Sequence, residues 1–226
     1  MKRSSKNPTN YRRSGEVSKD LTVEQLAGIG KVAISYNEAE LLIHLIFNSC
    51  LGLEKYLFDQ VSTRINGTDG LIEIIAISLG DINCPNDIYK IIQQTLGDGE
   101  FKLLKKYRDS IVHARVKDAP EGIGISPSRR GKSTEILLTP TALDGVYQRL
   151  DVIRRELACI LKIAIILATD AKANKFIFVP EPNKEELIKS GRERSENEIR
   201  KTWSVCEQYR AKRLALPELP AFHDQD

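Results

Sequence analysis

TVEQLAGIGKVAISYNEAELLIHLIF, residues 22–47, is the stretch that decides the fold class. Thr22-x-x-Gln25 has the form of a capping box, so a helix is predicted to start here. Leu26, Ile29, Ala33, Tyr36, Glu40, Ile43 and Phe47 then follow at helical spacing. A second series, Ile34, Glu38, Leu41, Leu42 and Leu45, widens the apolar face. A helix apolar around most of its circumference is expected to touch several neighbours, which predicts the middle of a bundle. Gly52 is the predicted stop.

The same signals recur along the chain. A second helix is predicted from about Glu54 to Arg64, with a break at Asn66-Gly67-Thr68-Asp69-Gly70. Helix resumes over Leu71–Leu79, and Pro85 suits the first turn of another reaching Leu96. After Gly97-Asp98-Gly99 comes a helix with Leu104, Tyr107, Ile111 and Ala114 on its buried stripe. Alternating segments at Gly122–Ser126 and Thr134–Leu138 flank Pro127-Ser-Arg-Arg-Gly-Lys132 and predict a β-hairpin with a basic tip. Thr139-Pro140 supplies a cap and first-turn proline for a long helix reaching about Lys172. The fold class expected is all-α, a bundle of four or five helices with a small β-hairpin inserted before the long last core helix. Residues 1–20 read as a disordered basic arm, 21–175 as the bundle, and 176–226 as a charged helical extension and tail. In that extension Trp203 is the predicted anchor, with a second subunit as one docking partner.

Composition bounds the function. A net charge of +3 over 226 residues does not by itself announce a nucleic-acid binder, although the basic residues cluster. Cys50, Cys84, Cys159 and Cys206 are widely spaced, form no Cys-x-x-Cys pair and show no zinc spacing with His44 or His223. They read as reduced thiols of a cytoplasmic protein. The most apolar window, Leu157–Ala168, is too short to cross a bilayer and contains Lys162, so no membrane partner is expected. No cofactor and no metal are predicted, since no helix carries Asp, Glu or His at ligand spacing. Ser126–Ser133 imitates the end of a phosphate-binding loop but lacks the leading glycine and the following helix. His44 lies among Leu41, Leu42, Leu45 and Ile46 and reads as a core histidine, and His223 belongs to the tail.

The chemistry concentrates in Lys105-Lys106-Tyr107-Arg108-Asp109-Ser110-Ile111-Val112-His113. An Arg can bind a phosphate and an imidazole can move a proton, the two operations that metal-free RNA cleavage requires. Asp109 and His113 stand four apart on one helix face, close enough for a carboxylate–imidazole contact. Arg108 and His113 are five apart, roughly 140° around the helix. The plainer reading is an exposed Asp109–His113 pair beside a solvated Arg108.

The arrangement resembles the HEPN superfamily of helical-bundle proteins, many of them metal-independent ribonucleases. That family's signature is an Arg followed after four to six residues by a His, usually with Asn, Asp or His directly after the Arg. Arg108, Asp109 and His113 occupy those positions, and the resemblance spans roughly residues 22–172. It implies a homodimer whose cleft is composed from Arg108 and His113 of both chains, with RNA as the partner. It also implies toxin or defence roles, and with a toxin a protein antitoxin. In that reading Arg108 stabilises phosphate charge, His113 moves the proton and Asp109 orients it. Glu38 is either a group that holds Arg108 or an exposed helix acid, and Ser110 a phosphate donor or a neutral helix residue. Lys102, Lys105, Lys106, Arg115 and Lys117, with Arg129, Arg130 and Lys132 on the hairpin, are candidate RNA contacts or a solvated basic face. A non-catalytic dimeric interaction or RNA-binding module is the alternative.

Overall fold

The computed structural model describes residues 21–53, 57, 60–61, 64–65, 67–82, 84–97, 99–113, 115–119, 122–126, 134–137, 139–176, 183–219 and 223–224. Side chains are described for these residues except 113–138, 172–188 and 223–224. The predicted N-terminal arm, and most of the helix expected over 54–64, lie outside the described residues.

Helices dominate: α1 (Val23–Leu51), α2 (Gly67–Asp81), α3 (Asn86–Gly97), α4 (Glu100–His113), α5 (Pro140–Phe176) and α6 (Asn183–Leu214). The Thr22 hydroxyl accepts from the Gln25 amide while the Gln25 side chain accepts from the Thr22 amide, which closes the capping box. Gly52 ends α1 in the left-handed region at φ 60°, where a side chain would be strained, and its N–H reaches the Asn48 carbonyl. Thr139 accepts from the Ala142 amide at the start of α5. The break expected over Asn66–Gly70 is shorter than that, since α2 already begins at Gly67.

The long helices α1 and α5 run side by side in the same direction. Gly28 lies against Leu143, Lys31 over the Tyr147 ring, and Glu38 against Arg154, so the register advances together along both. A Cβ at Gly28 would stand 2.9 Å from Leu143 Cδ1, so the absent side chain is what lets the helices approach. Val32, Tyr36, Ala39, Ile43 and Phe47 of α1 meet Leu143, Val146, Leu150, Ile153, Leu157 and Ile160 of α5 in one core. The helix α2 adds Leu71, Ile75 and Leu79, α3 adds Ile88 and Ile92, and α4 adds Phe101, Leu104, Tyr107 and Ile111.

The face of α1 is narrower than its sequence suggests. Helix α5 covers one side and α2 and α4 the other, leaving Ile34, Leu41 and Leu45 at 62%, 58% and 40% exposure. His44 is half-buried rather than a core residue.

Helix α6 also departs from expectation. Ile199, Trp203 and Cys206, spaced i, i+4 and i+7, belong to the bundle's own core, so Trp203 docks within the chain instead of on a second subunit. The helix lies antiparallel to α5, with Lys162 facing Glu198 and Arg155 lying over the Tyr209 ring. At its end Arg213 is 1% exposed. Its Nε donates to Oε1 of the fully buried Glu156 at 2.7 Å, and its Nη1 donates to Glu100 at the head of α4. Arg149 of α5 donates to Glu100 at 2.5 Å and to the carbonyls of Leu216 and Pro217 at 3.0 and 2.6 Å. One network of two cations and two anions thus joins α4, α5, α6 and the segment after α6.

Between α4 and α5 the described strands form a larger sheet than the expected two-stranded hairpin. Strands β1 (Arg115–Ala119), β2 (Gly122–Ser126) and β3 (Thr134–Leu137) follow one another, and β4 (His223–Asp224) arrives from the tail, in sheet order β1-β2-β3-β4. All pairings are antiparallel, with Val116 opposite Ile125, Ile125 opposite Ile136 and Glu135 opposite His223. The predicted basic tip, with Arg129, Arg130 and Lys132, lies outside the described residues. The fold class is carried by the helices.

Arg213→Ala would take away the guanidinium that pairs with the fully buried Glu156 carboxylate. The expected loss is about 3–5 kcal/mol of unfolding free energy, measured by urea denaturation. A loss under about 1 kcal/mol would show that the network does not hold α6 in place.

Candidate functional site

Helix α4 carries the Arg108/His113 pair, and its two ends are fixed by different neighbours. Glu100 is held by Arg213 and Arg149, while Leu104, Tyr107 and Ile111 seat the helix on the core. Position 108 follows Tyr107 and therefore falls at the edge of the buried stripe. Its side chain is 18% exposed, largely buried with one edge at the surface.

The guanidinium is enclosed by α1 and by its own helix. Its Cζ lies 4.6 Å from the centroid of the Tyr36 ring, within cation–π range. Nη1 donates to Asp109 Oδ1 at 2.6 Å. Nη2 reaches Asn37 Oδ1 at 3.5 Å and stands 3.8 Å from Glu40 Oε2. The Nε atom is buried and has no hydrogen-bond partner among the described residues. Glu40 is itself anchored, because Thr68 Oγ1 at the head of α2 donates to its Oε1 at 2.9 Å. Tyr36 is fully buried and stacks on Phe101 with centroids 5.2 Å apart. Burial drives the Tyr36 hydroxyl's pKa well above the ordinary phenol range, and the nearby Glu40 adds to the rise. It therefore stays protonated at neutral pH.

The candidate residues separate in this frame. Asp109 is engaged by Arg108 and, at 3.3 Å, by Lys105 Nζ, so it serves the arginine side of the pair. Position 113 ends α4, but the His113 side chain, and with it the Asp109–His113 contact, lies outside what is described. The acid that faces Arg108 is Glu40, not Glu38, which instead pairs with Arg154 of α5. The signal was available: Glu40 is four residues after Tyr36 and shares its face, whereas Glu38 is two away, on the other side. Ser110 is buried and cannot present its hydroxyl to an outside phosphate. Lys102 is exposed and sits 3.7 Å from Asp69, and Lys106 is exposed. Arg115 and Lys117 lie on β1, with their side chains outside the described set.

The four thiols are free. Burial pushes Cys50 and Cys84 up to about 12, which keeps both protonated and unreactive. Among the described residues no group of three or more His, Cys, Asp or Glu is placed to hold a metal ion. Likewise, no described helix is long and apolar enough to cross a membrane. Comparison with protein-family models, curated proteins and solved structures gave no match to this chain.

The division of labour between the two glutamates can be measured by double-mutant cycles on unfolding free energy. Glu40→Ala and Arg108→Ala should couple by about 0.5 kcal/mol or more, as contacting charges do. Glu38→Ala and Arg108→Ala should be additive within about 0.3–0.5 kcal/mol. Equal couplings would contradict the assignment of Glu40.

Proposed function

We propose that the chain is a metal-independent endoribonuclease of the HEPN type, acting in the cytoplasm as a homodimer with Arg108 and His113 at a composite site. The observation that carries this reading is the setting of Arg108. It is a largely buried guanidinium, with an 18% exposed side chain, held on Tyr36 and on the same helix as His113. The exposed Ile34, Leu41 and Leu45 of α1 supply an apolar stripe beside Asn37, and so beside Arg108, which suits contact with a second copy. A second copy also answers the 140° separation of Arg108 from His113, since the arginine of one chain then meets the histidine of the other.

The chemistry runs without a cofactor. The 2′-hydroxyl of RNA gives up its proton to an imidazole and attacks the adjacent phosphorus. The bond to the 5′-oxygen breaks, an imidazolium returns a proton to that oxygen, and a 2′,3′-cyclic phosphate is left. Arg108 stabilises the charge growing on the non-bridging oxygens. His113 supplies the imidazole, and Asp109 keeps the arginine side of the cleft in place. Lys105 and Lys106, with Arg115, Arg129, Arg130 and Lys132, add a basic approach for the RNA backbone. A toxin or defence role, with a protein antitoxin as partner, follows from the same reading.

One observation favours a second reading. The guanidinium is already neutralised by Asp109 and Glu40, as in a latch that holds α1 to α4. A non-catalytic HEPN-like dimeric or RNA-binding module is consistent with that.

Purified protein should cut single-stranded RNA and leave DNA of the same sequence intact, because DNA lacks the 2′-hydroxyl. Arg108→Ala and His113→Ala should each lower the cleavage rate by about 100-fold or more, with helical content unchanged. Cleavage that both variants retain in full would defeat the assignment. RNA that is bound but uncut by the wild type would establish the second reading.

A further inference from the structure

We propose that Tyr36 and Glu40 of α1 are positioning residues that set the plane and rotation of the Arg108 guanidinium for phosphate. The proposal rests on the reading of Arg108 as the phosphate-binding group. An arginine side chain has long, flexible reach, and its five donors lie in one plane. Useful work on a developing phosphorane requires that plane to be fixed before the substrate arrives. Here the fixing comes from α1. The Tyr36 face at 4.6 Å defines the plane. Tyr36 cannot tilt, being fully buried and stacked on Phe101. Glu40 and Asn37 at the Nη2 corner define the rotation in that plane, and Thr68 holds Glu40 in turn. Asp109 takes Nη1. This leaves Nε, whose N–H meets no protein acceptor among the described residues. Nε is shut off from the surface, so phosphate meets the Nη edge of the guanidinium, where each nitrogen carries a second hydrogen. Four groups on two helices thus orient the guanidinium.

The test uses the full-length protein and a short RNA. Tyr36→Leu keeps apolar bulk but removes the aromatic face. It should lower kcat about 5- to 30-fold, the range of a partly buried cation–π contact, with KM within about threefold. Tyr36→Phe keeps the face and should restore most of the rate lost in Tyr36→Leu. Glu40→Gln leaves the core untouched and should lower kcat by about 3- to 10-fold, as expected for losing one charged partner. In an Arg108→Ala background neither substitution should lower the rate further. A second readout is independent of cleavage. In the wild type the Arg108 Nε–H proton should be displaced from its ordinary NMR position by the Tyr36 ring current, and Tyr36→Leu should abolish that displacement. A wild-type protein that leaves RNA intact overturns the reading of the site. Two results overturn the positioning role alone: an undisplaced Nε–H resonance, or a Tyr36→Leu loss of the same size with and without Arg108.

Discussion

Arg213 is a cation with almost no access to water, and its charge has to be answered inside the protein. Glu156 and Glu100 answer it, Arg149 completes the set, and the four residues lie on α4, α5 and α6. An isolated buried charge is strongly destabilising, whereas a satisfied network is tolerated and defines one arrangement of its helices. Its consequence for function runs through Glu100. That residue heads α4, and Arg108 follows eight residues later, about 12 Å along the helix axis. Helix α4 is therefore pinned twice, at Glu100 by the network and at Arg108 by Tyr36, Asn37 and Glu40 of α1. The angle at which it presents its C-terminal half follows from these two anchors together.

The candidate site combines preorganisation with restraint. The stack of Phe101, Tyr36 and Arg108 holds the guanidinium, while Asp109 and Glu40 neutralise it in the free chain. On the proposed reading, phosphate has to share or displace these carboxylate partners. That competition filters out weakly bound anions and favours a ligand that contributes several oxygens at once. Beside it, α1 turns Ile34, Leu41 and Leu45 outward, although the rest of the helix is deeply embedded.

Much of the fold was legible because local rules and packing agree. Thr22 and Gln25, Gly52, and Thr139 with Pro140 mark helix ends through their own backbone hydrogen bonding, which needs no tertiary information. Core positions such as Ile43, Leu104 and Leu157 followed from period alone. The failures are cases where a distant partner decides. Glu156 sits just before an apolar run and Arg213 in a highly charged helix, and nothing local pairs them across 57 residues. The width of the α1 face depended on how many helices cover it, which periodicity does not count. At the site, the place of Arg108 beside the buried stripe of α4 was readable, but the choice between Glu38 and Glu40 required knowing that α4 lies on the Tyr36 side and α5 on the other. The cis-docking of α6 was written in Ile199, Trp203 and Cys206, a short apolar stripe obscured by the surrounding charge.

The central claim is that Arg108 and His113 cleave RNA through its own 2′-hydroxyl. The most direct measurement is the mass of the new termini when RNA is cut by the purified protein in the presence of a metal chelator. The account predicts 2′,3′-cyclic phosphate on one fragment and a free 5′-hydroxyl on the other. Fragments ending in 3′-hydroxyl and 5′-phosphate, or cleavage that stops once metal is chelated, would contradict it.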